Sequence, residues 1–284
     1  MKYTHGGDIY RNRVKWDFSA NIGPFGMPKA VEEAAMRGIL ASTAYPDSEA
    51  EELVCGIAQR EGVCPDQIAC GNGAAEVIYH LAAALKPKHA LLLAPTFSEY
   101  EQALHINGCE CHYYFLKEKD GFQILPDILE QITEQMDLVI LCNPNNPTGV
   151  ICPKDLYVPL IKQCKKQNCV LAVDECFQDF LMKEDQGSFM DVWKTMDGMS
   201  RGSLFILKAF TKMYGIPGLR MGYGISTDQE LIQKIKKQHQ AWNVSMPAQY
   251  AGIASLKEES FADSTRHYVA GEREWLKKKM TDLG

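Results

Sequence analysis

The 284-residue sequence lacks an excess of positive charge. Thirty Lys and Arg stand against 36 Asp and Glu, a net charge of −6, with the two signs mixed along the chain. No basic stripe results, which argues against nucleic acid as a partner. No apolar run reaches membrane-spanning length, and the opening MKYTHGGDIYRNRVKWDF has no signal-peptide core, so no membrane association is expected. There is no GxGxxG after the first strand pattern with an acid about 20 residues on, which disfavours an NAD-binding domain. Internal repeats and low-complexity linkers are also absent. Cysteine is not scarce, at ten, but the residues are scattered with no CxxC pair and no zinc-like spacing to histidine. They read as reduced, mostly buried thiols of a cytoplasmic protein, and no metal site is expected. His80, His89, His105, His112, His239 and His267 read as structural or solvated.

What is present is alternation. HALLLAP (89–95), CECHYYFL (109–116), DLVILCNP (137–144), CVLAVDEC (169–176) and SLFILKAF (203–210) predict strands of mostly buried type. Between them, 74–85, 98–106, 126–135 and 154–167 have helical spacing, and from 228 onward the pattern is helical throughout. The hydrophobic fraction of 46% suits a large core. Strand, helix, strand, repeated, predicts an α/β sheet covered by helices on both faces. Ligands of such sheets sit beyond the carboxyl ends of the strands. That places GNGAAE (71–76), PTFSEY (95–100), NPNNPTG (143–149), VDECF (173–177) and AFTKMYGIPGLRMGYG (209–224) around one crevice.

Each stretch has an ordinary reading and a chemical one. The doubled Asn-Pro of NPNNPTG exceeds what a turn needs and argues that Asn146 is aimed at a ligand. Asp174 ends a strand that should be buried, which is costly for a carboxylate unless paired; a helix cap or core ion pair is the plain alternative. The turn before 74–85 presents the N–H groups of Ala74 and Ala75 to an anion, or is merely a turn. Phe97 is a stacking surface or a core aromatic, and Tyr45, in TAYPD, has the same standing. Lys208 and Lys212 both follow the run SLFIL, and Arg220 lies eight residues beyond Lys212. A lysine nucleophile, a buried acid, an asparagine, an arginine, an anion-binding helix start and a flat aromatic are together the parts that hold pyridoxal 5′-phosphate (PLP). In that set, Asp174 keeps the ring nitrogen protonated, Arg220 and the 71–74 turn neutralise the phosphate, and Phe97 covers the ring.

At this point NPNNPTG…VDE…TKxxxxPGLRxGY resembles the class I/II aminotransferases, fold-type I PLP enzymes, from His5 to the end of the chain. The resemblance implies a three-layer αβα fold with a mixed, mostly parallel sheet. It also implies that the reactive lysine is Lys212 and that Lys208 is a strand-end residue. Asn146 is then expected to bond the ring oxygen, Asp174 the ring nitrogen and Arg220 the phosphate. Thr211 compensates for Ala209, which stands where relatives carry a hydroxyl. Tyr45 is expected to reach the phosphate of a second subunit, making a homodimer.

HGGD (5–8), DFSANIGPFG (17–26), YPD (45–47) and Phe177 resemble the threonine-phosphate decarboxylases of cobalamin synthesis, in which His5, Gly6 and Asn21 match residues that contact the phosphorylated substrate. Histidinol-phosphate-type transamination is the alternative, and a PLP-binding chain without turnover a third. The expected organisation is an N-terminal arm over 1–30, a PLP-binding large domain over 31–255, and a helix over 256–284 leading into a small domain largely missing after Gly284. Trp242 is either a pocket residue or a core tryptophan at a helix end. The lysine-rich 234–238 reads as a solvated helix face.

Overall fold

The computed structural model describes residues 6–12, 14–198 and 202–283. Its elements run α1 (Lys29–Ala41), α2 (Glu51–Glu61), β1 (Ile68–Asn72), α3 (Gly73–Leu85), β2 (His89–Ala94), α4 (Glu99–Ile106) and β3 (Glu110–Phe115). They continue through α5 (Ile128–Gln131), β4 (Leu138–Cys142), α6 (Tyr157–Lys166), β5 (Val170–Asp174), α7 (Phe189–Thr195), β6 (Leu204–Ala209) and β7 (Met221–Ser226). The chain then turns helical with α8 (Gln229–Lys236), α9 (Met246–Ser255) and α10 (Glu259–Leu283).

Among the described residues the strands form one sheet in the order β1-β7-β6-β5-β4-β2-β3. β7 runs antiparallel to both of its neighbours, and every other pairing is parallel. Side chains alternate across a strand, so a strand covered on both faces must be apolar at every position. The two core clusters show this directly. Leu91, Leu93, Val139, Leu141, Leu171, Val173, Leu204 and Ile206 fall in one, while Ala90, Leu92, Leu138, Ile140, Ala172, Phe205 and Leu207 fall in the other. Two apolar faces with helices on each are the three-layer αβα arrangement, as expected.

Three expectations need correction. β3 is not of buried type: it is the edge strand, with Glu110 and Phe115 exposed. The helix expected over 126–135 shrinks to the four residues Ile128–Gln131. β7 was not anticipated, because Gly222 and Gly224 interrupt its apolar pattern, yet all six of its residues are buried. Those glycines admit close neighbours. A Cβ at Gly224 would lie 2.2 Å from the Phe205 ring, and one at Gly222 would lie 2.3 Å from the Ala74 nitrogen. β7 is thus a strand selected by what packs against it rather than by its own propensity.

Candidate active site

The carboxyl ends of β5 and β6 and the loops beyond them gather most of the residues singled out above. Asp174 is the last residue of β5 and is buried. Its Oδ1 accepts from the Cys176 backbone N–H at 2.9 Å and its Oδ2 from the Tyr100 hydroxyl at 2.6 Å. Burial and the neighbouring Asp174 charge push the Tyr100 phenol well above its ordinary value, so Tyr100 remains a donor. Among the described residues Asp174 makes no salt bridge. A carboxylate held this way suits a cation delivered by a ligand. Phe97 meets the Tyr100 ring edge-on, with centroids 5.6 Å apart, which sets a flat aromatic beside the same acid. Tyr100 escaped the sequence analysis although it lies in PTFSEY. Its position three residues after Phe97, one helical turn on, was the available signal.

After β4, the Asn-Pro turn divides its asparagines between two tasks. Asn143 donates to the Tyr157 hydroxyl at 2.9 Å and accepts from the Cys152 N–H, and its own backbone N–H donates to the Asp174 carbonyl. Asn145 bonds the Pro95 carbonyl, Thr96 and Thr148. These bonds lock the turn to β5 and to the loop after β2. The half-buried Asn146 side chain takes no part in that locking; its backbone N–H donates to Cys142 Sγ at 3.4 Å.

The two lysines have separate surroundings. Lys208 lies within β6, 2.8 Å from Glu61 Oε2 and 3.9 Å from Glu175 Oε2, with its side chain 16% exposed. Burial pulls its ammonium down, but the two carboxylates outweigh that and hold it charged well above its ordinary value. Burial also pushes Glu175 up, to about 7, against the pull of Lys208 and the bonds from Ser188 and the Phe189 N–H. Glu61 further accepts from Tyr223, and Arg60 pairs with Asp179 at 3.3 Å. Lys208 therefore belongs to a buried ionic network. Lys212 is half-buried in the loop beyond β6; its Nζ lies 3.3 Å from Thr211 Oγ1 and 5.8 Å from the centre of the Phe177 ring.

The anion cradle is built from α3 and the end of the Lys212 loop. The N-cap Asn72 supplies no side-chain hydrogen bond to the first turn of α3, leaving the N–H groups there to another acceptor. Arg220 comes against this terminus so closely that a Cβ at Gly73 would lie 2.2 Å from its Nη2. Gly73 has φ +82° and Arg220 itself φ 60°, and the Arg220 guanidinium is steadied by the Pro217 carbonyl at 3.0 Å. An uncapped helix start facing a guanidinium fits a phosphate, and the glycines at 73 and 222 allow the approach.

The N-terminal segment is strapped to the lysine loop. The Gly23 N–H donates to the Lys212 carbonyl at 2.8 Å, and Gly215, at φ +60°, packs on Gly26 so tightly that a Cβ would lie 2.5 Å from its backbone. Asn21, two residues before Gly23, is exposed at this edge, and Gly6 abuts Ser19, where a Cβ would clash with the carbonyl. His5 lies outside the described residues. Tyr45 does not join the Lys212 cluster: it is 75% exposed and stacked on Trp242 at 4.2 Å. Trp242 is itself exposed and lies beyond the end of α8, so it is not a core residue at a helix end. Far from this site, at the starts of β2 and β3, His89, Glu110 and His112 converge, which their sequence spacing had not suggested.

The fold and site define a sheet protein with an amine, a buried acid and an arginine set against an uncapped helix start, arranged at the carboxyl end of its strands. A family profile, aminotransferase class I and II, matches residues 13–284, and the chain belongs to that family. It is 36% identical over 256 residues to threonine-phosphate decarboxylase of Salmonella typhimurium, covering 90% of this chain and 68% of the relative. It is 32% identical over 249 residues to histidinol-phosphate aminotransferase of Halalkalibacterium halodurans, covering 87% and 65%. The solved histidinol-phosphate aminotransferase of Clostridium acetobutylicum superposes with a TM-score of 0.83 at 29% identity, over 94% of this chain and 77% of that one.

Proposed function

We propose that this chain is a PLP-dependent enzyme acting on a small phosphorylated amino acid, with L-threonine O-3-phosphate decarboxylation as its reaction. The observation that carries the cofactor is the approach of Arg220 to the uncapped start of α3, at the same end of the sheet as the acid Asp174. When bound, PLP supplies an aldehyde that condenses with amines and a ring that draws electrons from the α-carbon. Arg220 and the N–H groups of Ala74 and Ala75 bind the phosphate. Asp174, oriented by Tyr100, holds the proton on the ring nitrogen, Asn146 bonds the ring oxygen, and Phe97 covers one face of the ring. Thr211 stands beside the lysine as a further donor.

Lys212 would hold the cofactor through its aldehyde and, when its amine is free, would be the group that carries a proton to the substrate α-carbon. In decarboxylation the carboxylate would leave the α-carbon as carbon dioxide, and a proton from the Lys212 ammonium would take its place. His5, Gly6 and Asn21, on the N-terminal segment, are assigned to the substrate. The similarity to the Salmonella decarboxylase, with HGGD and Phe177, favours this reaction, while the histidinol-phosphate aminotransferases at 32% identity and 0.83 TM-score make transamination the second reading. Tyr45 is assigned to the phosphate of a second subunit, so the working unit is a homodimer; its exposure fits that role. A cytoplasmic setting accords with ten free thiols, seven of them buried.

The test is direct. Borohydride treatment of the PLP-loaded protein is expected to fix the cofactor's mass on Lys212, and Lys212→Ala to abolish this while Lys208→Ala does not. Incubation with threonine phosphate is expected to yield aminopropanol phosphate and carbon dioxide. Glutamate formed from 2-oxoglutarate and histidinol phosphate would instead select transamination.

A further inference from the structure

At the opposite end of the sheet from Lys212, the first residues of β2 and β3 bring two imidazoles and a carboxylate together. His89 and Glu110 are register partners across the parallel pair, and His112 lies two residues beyond Glu110, on the same face of β3. His89 Nδ1 lies 3.2 Å from His112 Nε2, with one ring donating and the other accepting. Glu110 lies 3.6 Å from His89 Nδ1 through Oε2 and 3.9 Å from His112 Nε2 through Oε1. Two ligand atoms bound tetrahedrally to one ion at about 2.1 Å stand roughly 3.4 Å apart. The imidazole pair already has close to that spacing, and one ligand atom from each of the three residues lies within 4.8 Å of the others, so rotation of the exposed Glu110 side chain is what the site needs to close. The rings are about one-third exposed, so an ion can reach them from solvent.

We propose that His89, Glu110 and His112 form a divalent transition-metal site, occupied by Zn²⁺ or a similar ion, that clips the edge strand β3 to β2. Two imidazoles with one carboxylate favour zinc, nickel or copper over magnesium or calcium, and three protein ligands leave a position for water. The site does not touch the cofactor crevice, since the lysine loop follows the far end of the sheet. Its role is mechanical. Among the described residues β3 has no strand on its outer side, and a metal bridging residues 89, 110 and 112 holds its register against fraying.

The test uses the chelator-treated, cofactor-loaded protein and Zn²⁺ alone, read by calorimetry and by hydrogen exchange of β3. One ion is expected to bind with a dissociation constant on the order of micromolar and to slow exchange across 110–115. His89→Ala/His112→Ala is expected to weaken binding at least about tenfold and to remove the exchange effect, with Glu110→Gln intermediate. Both histidines are partly exposed, and His89→Gln/His112→Gln provides a bulkier second variant should the alanines disturb the edge. An unchanged isotherm in both double variants would place the ion elsewhere, such as on the exposed Cys55 and Cys64, and overturn the proposal. No binding by wild-type protein at tens of micromolar would overturn it equally.

Discussion

Two lysines four residues apart differ in kind because one is enclosed by acids and the other is not. Lys208 faces Glu61 and Glu175, both largely buried, so its removal takes the nearest cation from both carboxylates and leaves Glu61 only the more distant Arg60. Breaking a buried ion pair from one side costs about 3–5 kcal/mol. Lys208→Met is therefore expected to lower the unfolding free energy by that order in a denaturant titration. Lys212→Ala loses one hydrogen bond to Thr211 and is expected to change stability by less than about 0.5 kcal/mol. The same pair of proteins separates the roles: the stability defect belongs to position 208 and the loss of cofactor capture to position 212. The family spacing singled out Lys212. The sequence did not disclose that Glu61, some 150 residues away, would hold Lys208.

At the scale of the element, α3 and β7 meet through absent side chains. Gly73→Ala sets a methyl group into the Arg220 guanidinium and forces a positive φ on a residue that resists it, which alone costs about 1–2 kcal/mol. The expected outcome is PLP affinity reduced by about tenfold or more, measured by cofactor absorbance on titration, with a modest fall in melting temperature. Strands β2, β4, β5 and β6 were legible because each is largely buried on both faces and reads as a mainly apolar run. β7 was not, since its glycines are dictated by Ala74 and Phe205 across the contact. β3 was misjudged in burial for a related reason: apolar content announces a strand, but edge or centre is settled by where its neighbours lie.

For the molecule as a whole, contacts between segments far apart in sequence involve groups whose charge depends on pH. His239, in the loop after α8, packs against His80 of α3 with ring centroids 4.8 Å apart and the rings tilted by 39°. Burial, and then the neighbouring His80, hold its pKa down to about 4. The unfolded chain therefore binds a proton near the ordinary histidine value that the folded protein refuses until pH falls further. The stability concerned is present above about 6.5 and is lost as pH drops towards 4. His239→Gln is expected to flatten the decline of melting temperature between pH 6.5 and 4 relative to wild type. A difference that stays constant with pH would refute this account. Glu175 works in the opposite sense, its contribution present below the ordinary carboxylate value and fading as pH rises through about 7, so the comparison must be made against wild type at each pH.

By itself the sequence determined the layered α/β class, the family, and the residue types placed at the strand ends. Short continuous apolar runs and the doubled Asn-Pro turn are local signals, readable within a few residues. Only the tertiary structure decided that Tyr100 holds Asp174, that Gly73 yields to Arg220, that Gly23 straps the N-terminal segment to Lys212, and that His89 and His112 touch. Each of these joins parts of the chain that are adjacent only after the strands have been ordered, and sequence spacing carries no record of that order.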